Sequence, residues 1–346
     1  MTDAIVASYR PGFASRVAAW VDTLPLRGLW VFPVLAAVLL LWGHVVLWVS
    51  GRLPVGAIDL TVATGVLYAP YGLAVFVIAN RVALRSLNAF WPATGWPDSE
   101  RPTWAYRFVT LPRGADVIAL AIGTLLAIGT IASASDAFLG PRDTRWALVV
   151  ALVPSLVLGY GAFPLIVVHT VRQLRLVMRI HREATAIDPF EREPVYAFSR
   201  LTVVTGLAYV IIGYYGLVVN GAFQSGNAAS LAVLAGSFAV GIVTFIAPLW
   251  GIHERLVHEK ELLLREVEAR LGRLGAEMYR RVDGGEFDGT KAVGDSITGV
   301  NMLRDRIGRL PTWPWPPNVL RGFLSALLIP VVVYIASRLI GGNLGV

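Results

Sequence analysis

Seven separate stretches of about twenty mostly apolar residues, each the length of one bilayer crossing, constrain this chain more than any other feature. They run over roughly 28–50, 59–80, 116–136, 146–169, 201–222, 229–252 and 319–341. Composition supports reading them together. Of 346 residues, 55% are hydrophobic and only 15% charged, against about 25% charged in an ordinary soluble domain. That is too little charge to cover a water-soluble globule of this size. A soluble monomer, a disordered chain and a nucleic-acid-binding module are excluded on this ground. The fold class expected is all-α: a polytopic membrane protein with seven transmembrane helices.

The loops set the orientation. Lys and Arg concentrate on the cytoplasmic side of membrane proteins. The N-terminal segment, the loops 81–115 and 171–200, the stretch 253–317 and Arg321 together hold 26 of the 30 basic residues. The opposite side holds Arg52, Arg142, Arg145 and Arg338. The expected topology has the N-terminus inside and the C-terminus outside, in the cytoplasmic (plasma) membrane. The net charge of +7 is then a sidedness signal facing anionic headgroups. The lipid bilayer is the expected partner, and nucleic acid is not. Residues 1–27 intersperse Arg10, Arg16 and Arg27 with Phe13, Val17 and Trp20. That is an amphipathic helix for the membrane surface rather than a cleavable signal.

Between the spans, the soluble mass falls on the basic side. Trp91, Trp96 and Trp104 alternate with Pro92, Pro97 and Pro102, a pattern expected at the headgroup level. Asp188-Pro189 turns the chain before the fifth span. After the sixth span, Leu256, Leu263, Val267, Leu271, Leu274, Met278 and Val282 recur at helical spacing, with i,i+4 pairs such as Glu261–Arg265 and Glu266–Arg270. Gly284-Gly285 ends this helix, and Val293, Ile297, Val300, Leu303, Ile307 and Leu310 form a second stripe. The two are expected to fold into a cytoplasmic helical hairpin between helices six and seven. Pro311 to Pro317, with Trp313 and Trp315, makes a stiff connector. Four parts follow: the amphipathic segment 1–27; a six-helix bundle with cytoplasmic extensions, 28–252; the hairpin and connector, 253–317; and the seventh helix with a short outer tail, 318–346.

Chemistry-bearing motifs are scarce. There is no cysteine. His253 and His258 stand at i,i+5, about 140° apart on a helix, where a zinc-protease helix needs i,i+4. Asp283, Glu286 and Asp288 lack the calcium-loop pattern. Lys260 and Lys291 are the only lysines, so no lysine is placed for a retinal Schiff base. Phosphate-binding loops, nucleophile elbows and paired intramembrane carboxylates are missing. An enzyme, a cofactor and a metal site are not expected. Ionisable and hydroxyl groups inside the spans are the remaining candidates. His44 lies in span one and His169 at the inner end of span four. Tyr68 and Tyr71 of span two, Tyr160 of span four, and Tyr209 and Tyr214 of span five line a candidate ligand pocket with His44. Pro330, Tyr334 and Arg338 share one face of span seven and, with Ser325 and Ser337, are candidate pore-lining residues.

The layout resembles the seven-transmembrane ion channels of the insect chemoreceptor superfamily. The shared features are seven spans, an inside N-terminus, helices extended into the cytoplasm, a hairpin, and a solitary last span with a very short tail. Tyr334 in Val333-Tyr334-Ile335 matches the tyrosine of that family's signature in the last span. The Thr before it and the Gln after it are not matched. The resemblance implies a homo-oligomer, a tetramer, whose cytoplasmic helices bundle at the centre and whose last helix lines an ion pore, possibly gated by a small molecule. An Arg near the outer mouth biases such a pore against cations. Two other readings fit the sequence: a non-conducting membrane sensor or scaffold that docks a partner on the charged helix 253–282, and a secondary transporter, for which no inverted repeat or midplane carboxylate is visible.

Overall fold

A computed structural model describes residues 9–132, 142–219 and 228–343. No strand occurs among them. The helices are α1 (Phe13–Thr23), α2 (Val31–Val49), α3 (Leu60–Gly65), α4 (Tyr68–Phe90), α5 (Arg101–Val109), α6 (Arg113–Ala132), α7 (Arg145–Glu183), α8 (Arg192–Tyr196), α9 (Ser199–Val219), α10 (Ala228–Asp283), α11 (Thr290–Gly308) and α12 (Pro317–Asn343). Five helical stretches are long and apolar enough to cross a membrane: Val31–Val49, Leu60–Thr94, Arg145–Glu183, Arg192–Gly216 and Ala235–Asp283. The other two expected spans fall on α6 and α12. α6 opens with Arg113 and Asp116, and the apolar part of α12 found among the described residues, Pro317–Ile329, is shorter than a span.

α7 is the hub, packing on α2, α4, α6 and α10, while α9 packs on α4, α10 and α12. Prolines inside α7 shape these contacts. A proline has no N–H, so the carbonyl four residues earlier loses its helical partner. Pro154 frees the carbonyl of Val150, and the Trp42 indole of α2 donates to it at 3.2 Å. Pro164 frees the carbonyl of Tyr160, and α6 answers with Gly123, whose missing side chain lets the backbones meet there. α9 and α10 approach in the same way. A Cβ on Gly206 would lie 2.8 Å from the Gly241 carbonyl, and one on Gly241 would lie 3.0 Å from the Gly206 carbonyl. Small residues at such crossings let helices gain dispersion contacts where the hydrophobic effect between them is weak.

The N-terminal segment is knitted into the bundle. Gly12 N–H donates to the Leu111 carbonyl (2.9 Å), Arg113 N–H to the Arg10 carbonyl (3.2 Å) and Leu111 N–H to Ser15 Oγ (2.8 Å). Asp116, 1% exposed in the first turn of α6, accepts from Ala14 N–H at 3.0 Å. One carboxylate thus serves the N-terminal ends of α1 and α6, where the helix dipoles favour negative charge. Ala14, Ala18 and Val21 are buried, and Phe13, Arg16 and Trp20 are exposed.

The tryptophans differ from expectation. Trp91 and Trp104 are buried rather than spread at a surface. Trp96 stacks on Trp104 at 4.9 Å, and Trp91 donates its indole N–H to Asp98 at 2.9 Å. The Pro-broken segment folds back over the ends of α4 and α7, and the cluster it joins includes Phe90, Phe108, Phe198 and Leu201. The connector tryptophans are also structural. His253, Trp313, Trp315, Phe245 and Phe323 form a continuous stack with successive centroids 3.8, 4.7, 4.8 and 4.0 Å apart. This ladder ties α10 to the start of α12. His253 lies flat on Trp313 and holds the Thr312 carbonyl at 3.0 Å.

α10 has 56 residues, about 84 Å at 1.5 Å per residue. α11 packs back against its far half, burying Val267, Ile307 and Leu310 with Leu263, Leu271 and Val300 around them. The turn between them uses Gly285 and Gly289 at φ 71° and 86°, a left-handed conformation that favours glycine. Glu277 pairs with Arg280 and Arg281 (2.9 and 2.7 Å) just before it.

Candidate functional site

Two sites emerge among the helices, an apolar cleft open at the surface and a buried polar cluster. The apolar one is a cavity of about 330 Å³ between α2, the start of α4 and α9. Phe32, Pro33 and Ala36 form one wall, Leu67, Tyr68, Pro70, Tyr71 and Ala74 the second, and Ile211, Ile212 and Tyr215 the third. Tyr68 and Tyr71 were expected here from the sequence. Tyr215 joins them, edge-on to Tyr68 at 5.2 Å. The expected lining of hydroxyls is not what the cavity offers. Tyr71 Oη donates to the Ala208 carbonyl at 2.8 Å, and Tyr215 Oη to the Thr64 carbonyl at 2.7 Å. Both hydroxyls are used to tie α4, α3 and α9 together. What faces the cavity is ring and aliphatic surface, suited to an apolar or aromatic molecule and not to proton transfer.

The other pocket candidates lie elsewhere. His44 is buried at the other end of α2. Its Nδ1 holds the Leu40 carbonyl at 2.8 Å and its Nε2 accepts from Asp59 N–H at 3.1 Å. Those two partners require a proton on Nδ1 and a lone pair on Nε2. The ring thus fixes the entry to α3, where Asp59 caps Val62 N–H at 2.9 Å. Tyr209 is buried beside Tyr71 and Thr170. Tyr160 neighbours Tyr68, and Tyr214 is half-buried; neither lines the cavity. Of the pore candidates, Ser325 is exposed on α12. Pro330, Tyr334, Ser337 and Arg338 continue the helix, and their side chains lie outside the described residues.

The polar site is a knot of three buried side chains. Asn80 Oδ1 receives His169 Nε2 at 2.6 Å and Gln173 Nε2 at 3.0 Å. Asn80 Nδ2 donates to the Val109 carbonyl at 3.3 Å, and Gln173 Nε2 also donates to the Phe108 carbonyl at 2.9 Å. Phe108 and Val109 end α5, where helix carbonyls lack intrahelical partners. The knot satisfies them and locks α4, α5 and α7. His169, placed by the sequence at the inner end of span four, is 2% exposed with its ring 4.3 Å from Phe76. The signal for this site was present: His169 and Gln173 stand at i,i+4 on one helix face.

One turn away, Arg172 reaches Tyr9. Its guanidinium donates to Tyr9 Oη at 2.6 Å and lies 5.0 Å over the ring. Tyr9 Oη donates to the Thr110 carbonyl at 2.9 Å, and Tyr106 Oη donates to the Tyr9 carbonyl at 2.7 Å. Burial pushes the Tyr9 hydroxyl above its ordinary value of 10.0, with Arg172 pulling it down. A group whose folded value is raised stabilises the fold below its unfolded value and loses that contribution as pH rises through the folded one. Docking of the N-terminal segment is therefore retained below pH 10.0 and weakens above it. The ultraviolet tyrosinate titration of wild type minus Tyr9→Phe should show a midpoint above 10.0; a midpoint below it would contradict this placement.

Among the described residues no group of three His, Asp or Glu side chains is placed to hold a metal. Comparison with protein-family models, curated proteins and solved structures finds no match to this chain.

Proposed function

We propose that the protein is a homo-oligomeric membrane channel in which α12 lines the pore. In this reading the chain crosses the membrane seven times, through α2, α3–α4, α6, α7, α9, the first half of α10, and α12. The N-terminus lies in the cytoplasm. α11 and the far half of α10 form a cytoplasmic helical hairpin. The reading is supported by length: a bilayer core of about 30 Å takes up well under half of a 56-residue helix.

The observation that carries assembly is apolar surface left uncovered on the hairpin of α10 and α11, with the apolar face of α12 running on above it. α12 buries Phe323 against the bundle and leaves Leu320, Leu324 and Leu328, at i, i+4 and i+8, exposed. On the hairpin, Phe287 and Tyr279 are 69% and 73% exposed, in a part of the chain that this topology puts in water. Exposed apolar residues on a water-facing helix pair mark an interaction surface. A second copy covers both, with hairpins meeting beneath the membrane and α12 helices meeting across an axis. The resemblance to seven-transmembrane chemoreceptor channels favours four copies.

Native mass measurement in lipid nanodiscs tests the assembly, with a symmetric tetramer expected and a monomer contradicting it. In single-channel recording, Arg338→Glu should shift selectivity toward cations; unchanged selectivity would remove Arg338 from the pore. The alternative, a non-conducting scaffold, is favoured if no conductance is found and a partner is captured only when residues 253–282 are present.

A further inference from the structure

We infer that a groove between the end of α11 and the start of α8 is a binding site for a phosphorylated polyol. Its cavity of about 550 Å³ is lined by Phe190, Arg192, Met302, Asp305, Arg306, Arg309 and Leu310. That volume falls within the ~300–1,000 Å³ typical of small-ligand sites. Three arginines from two separate elements line it. The geometry is prepared locally. Asp188 Oδ1 accepts from Phe190 N–H at 2.8 Å, a turn that presents the Phe190 ring, and the Arg306 guanidinium lies 5.5 Å above that ring.

Several arginines on neighbouring elements are committed to carboxylates. Along α10 and at the end of α7, arginines meet carboxylates: Arg179 with Glu183, Arg265 with Glu261, Arg270 with Glu266. Arg304, two residues before Arg306, reaches Glu268 at 3.8 Å. Arg192, Arg306 and Arg309 have no ion pair among the described residues. The C-terminal carbonyls of a helix would normally repel an anion. Here Lys260 Nζ covers them, donating to the Gly308 carbonyl at 2.6 Å and the Leu310 carbonyl at 3.1 Å.

Three guanidinium forks suit phosphate oxygens. Asp305, the one carboxylate on the wall, rejects a bare polyanion but accepts hydroxyl groups. Met302 and the Phe190 ring, capped on one face by Arg306, supply apolar wall for a short carbon chain. Phosphate, hydroxyls and a carbon skeleton together describe a phosphorylated polyol, whether free or as a lipid headgroup.

The test titrates the full chain in neutral detergent with inositol trisphosphate, with short-chain phosphatidylinositol bisphosphate and with inorganic phosphate. Binding is read by native mass spectrometry and by protection of Arg306 and Arg309 from phenylglyoxal in the unmodified protein. The readout needs no conduction, so its failure is separate from failure of the channel reading. Binding of either polyol phosphate well above inorganic phosphate is expected, weakened ~10-fold or more for each of Arg306→Gln and Arg309→Gln. Arg265→Gln with Arg270→Gln should leave it unchanged. Binding of the lipid probe alone assigns a headgroup, and equal binding of both assigns a soluble ligand. Binding no tighter than inorganic phosphate, or no protection of the two arginines, overturns the inference, and the protection assay holds even if the variants fold poorly.

Discussion

Asn80→Ala should destabilise the protein more than any other polar substitution in the bundle. It removes the acceptor shared by His169 and Gln173 and the donor to the Val109 carbonyl. His169 and Gln173 are 2% and 0% exposed, so water does not replace what is lost. Each buried group left without a partner costs about 1–3 kcal/mol, and a network loses more than its separate pairs. The expected loss is about 3 kcal/mol or more, read as a fall in the thermal midpoint in detergent. Gln173→Ala should lose less alone, and the double variant should lose less than the sum of the two. Additive losses would show that the three side chains do not act as one unit.

Gly123→Ala should show the second large effect. The nearest atoms to a Cβ there are backbone, the Tyr160 carbonyl and Gly161 Cα, and neither can rotate aside. α6 must move off α7, and forced repacking of this kind costs about 1–3 kcal/mol. Gly129→Ala in the same helix is the matched control. Nothing lies within 4 Å of its added Cβ, so the better helix propensity of alanine should leave stability equal or slightly raised. If both substitutions behave alike, the close α6–α7 crossing is not formed.

These two cases show where sequence reasoning reached and where it stopped. Periodicity located the helices because apolar spacing is a local property. The stretch 28–50 corresponds to Val31–Val49, and the charged helix drawn to 282 ends at Asp283. The apolar stripes on either side of Gly284-Gly285 are local in the same way. Contacts made to backbone carbonyls left no trace in the letters. Gly123 reads as an ordinary glycine until Pro164 is seen to free the carbonyl it covers. Tyr71 reads as part of a hydroxyl-lined pocket because its acceptor, the carbonyl of Ala208, carries no residue signature. The tryptophans of the 91–104 segment read as surface anchors because the fold-back that buries Trp91 and Trp104 depends on Phe198 and Val177, about a hundred residues away.

The central claim, that α12 helices from several copies surround a pore, meets its most direct test through Ser325. The chain contains no cysteine, so Ser325→Cys introduces a single reactive thiol on the exposed part of α12. Conductance of the purified variant is recorded in a planar bilayer before and after a charged thiol reagent. The channel reading predicts discrete openings that the reagent blocks or resizes. Openings indifferent to the modified thiol, or a bilayer with no conductance at all, would contradict it.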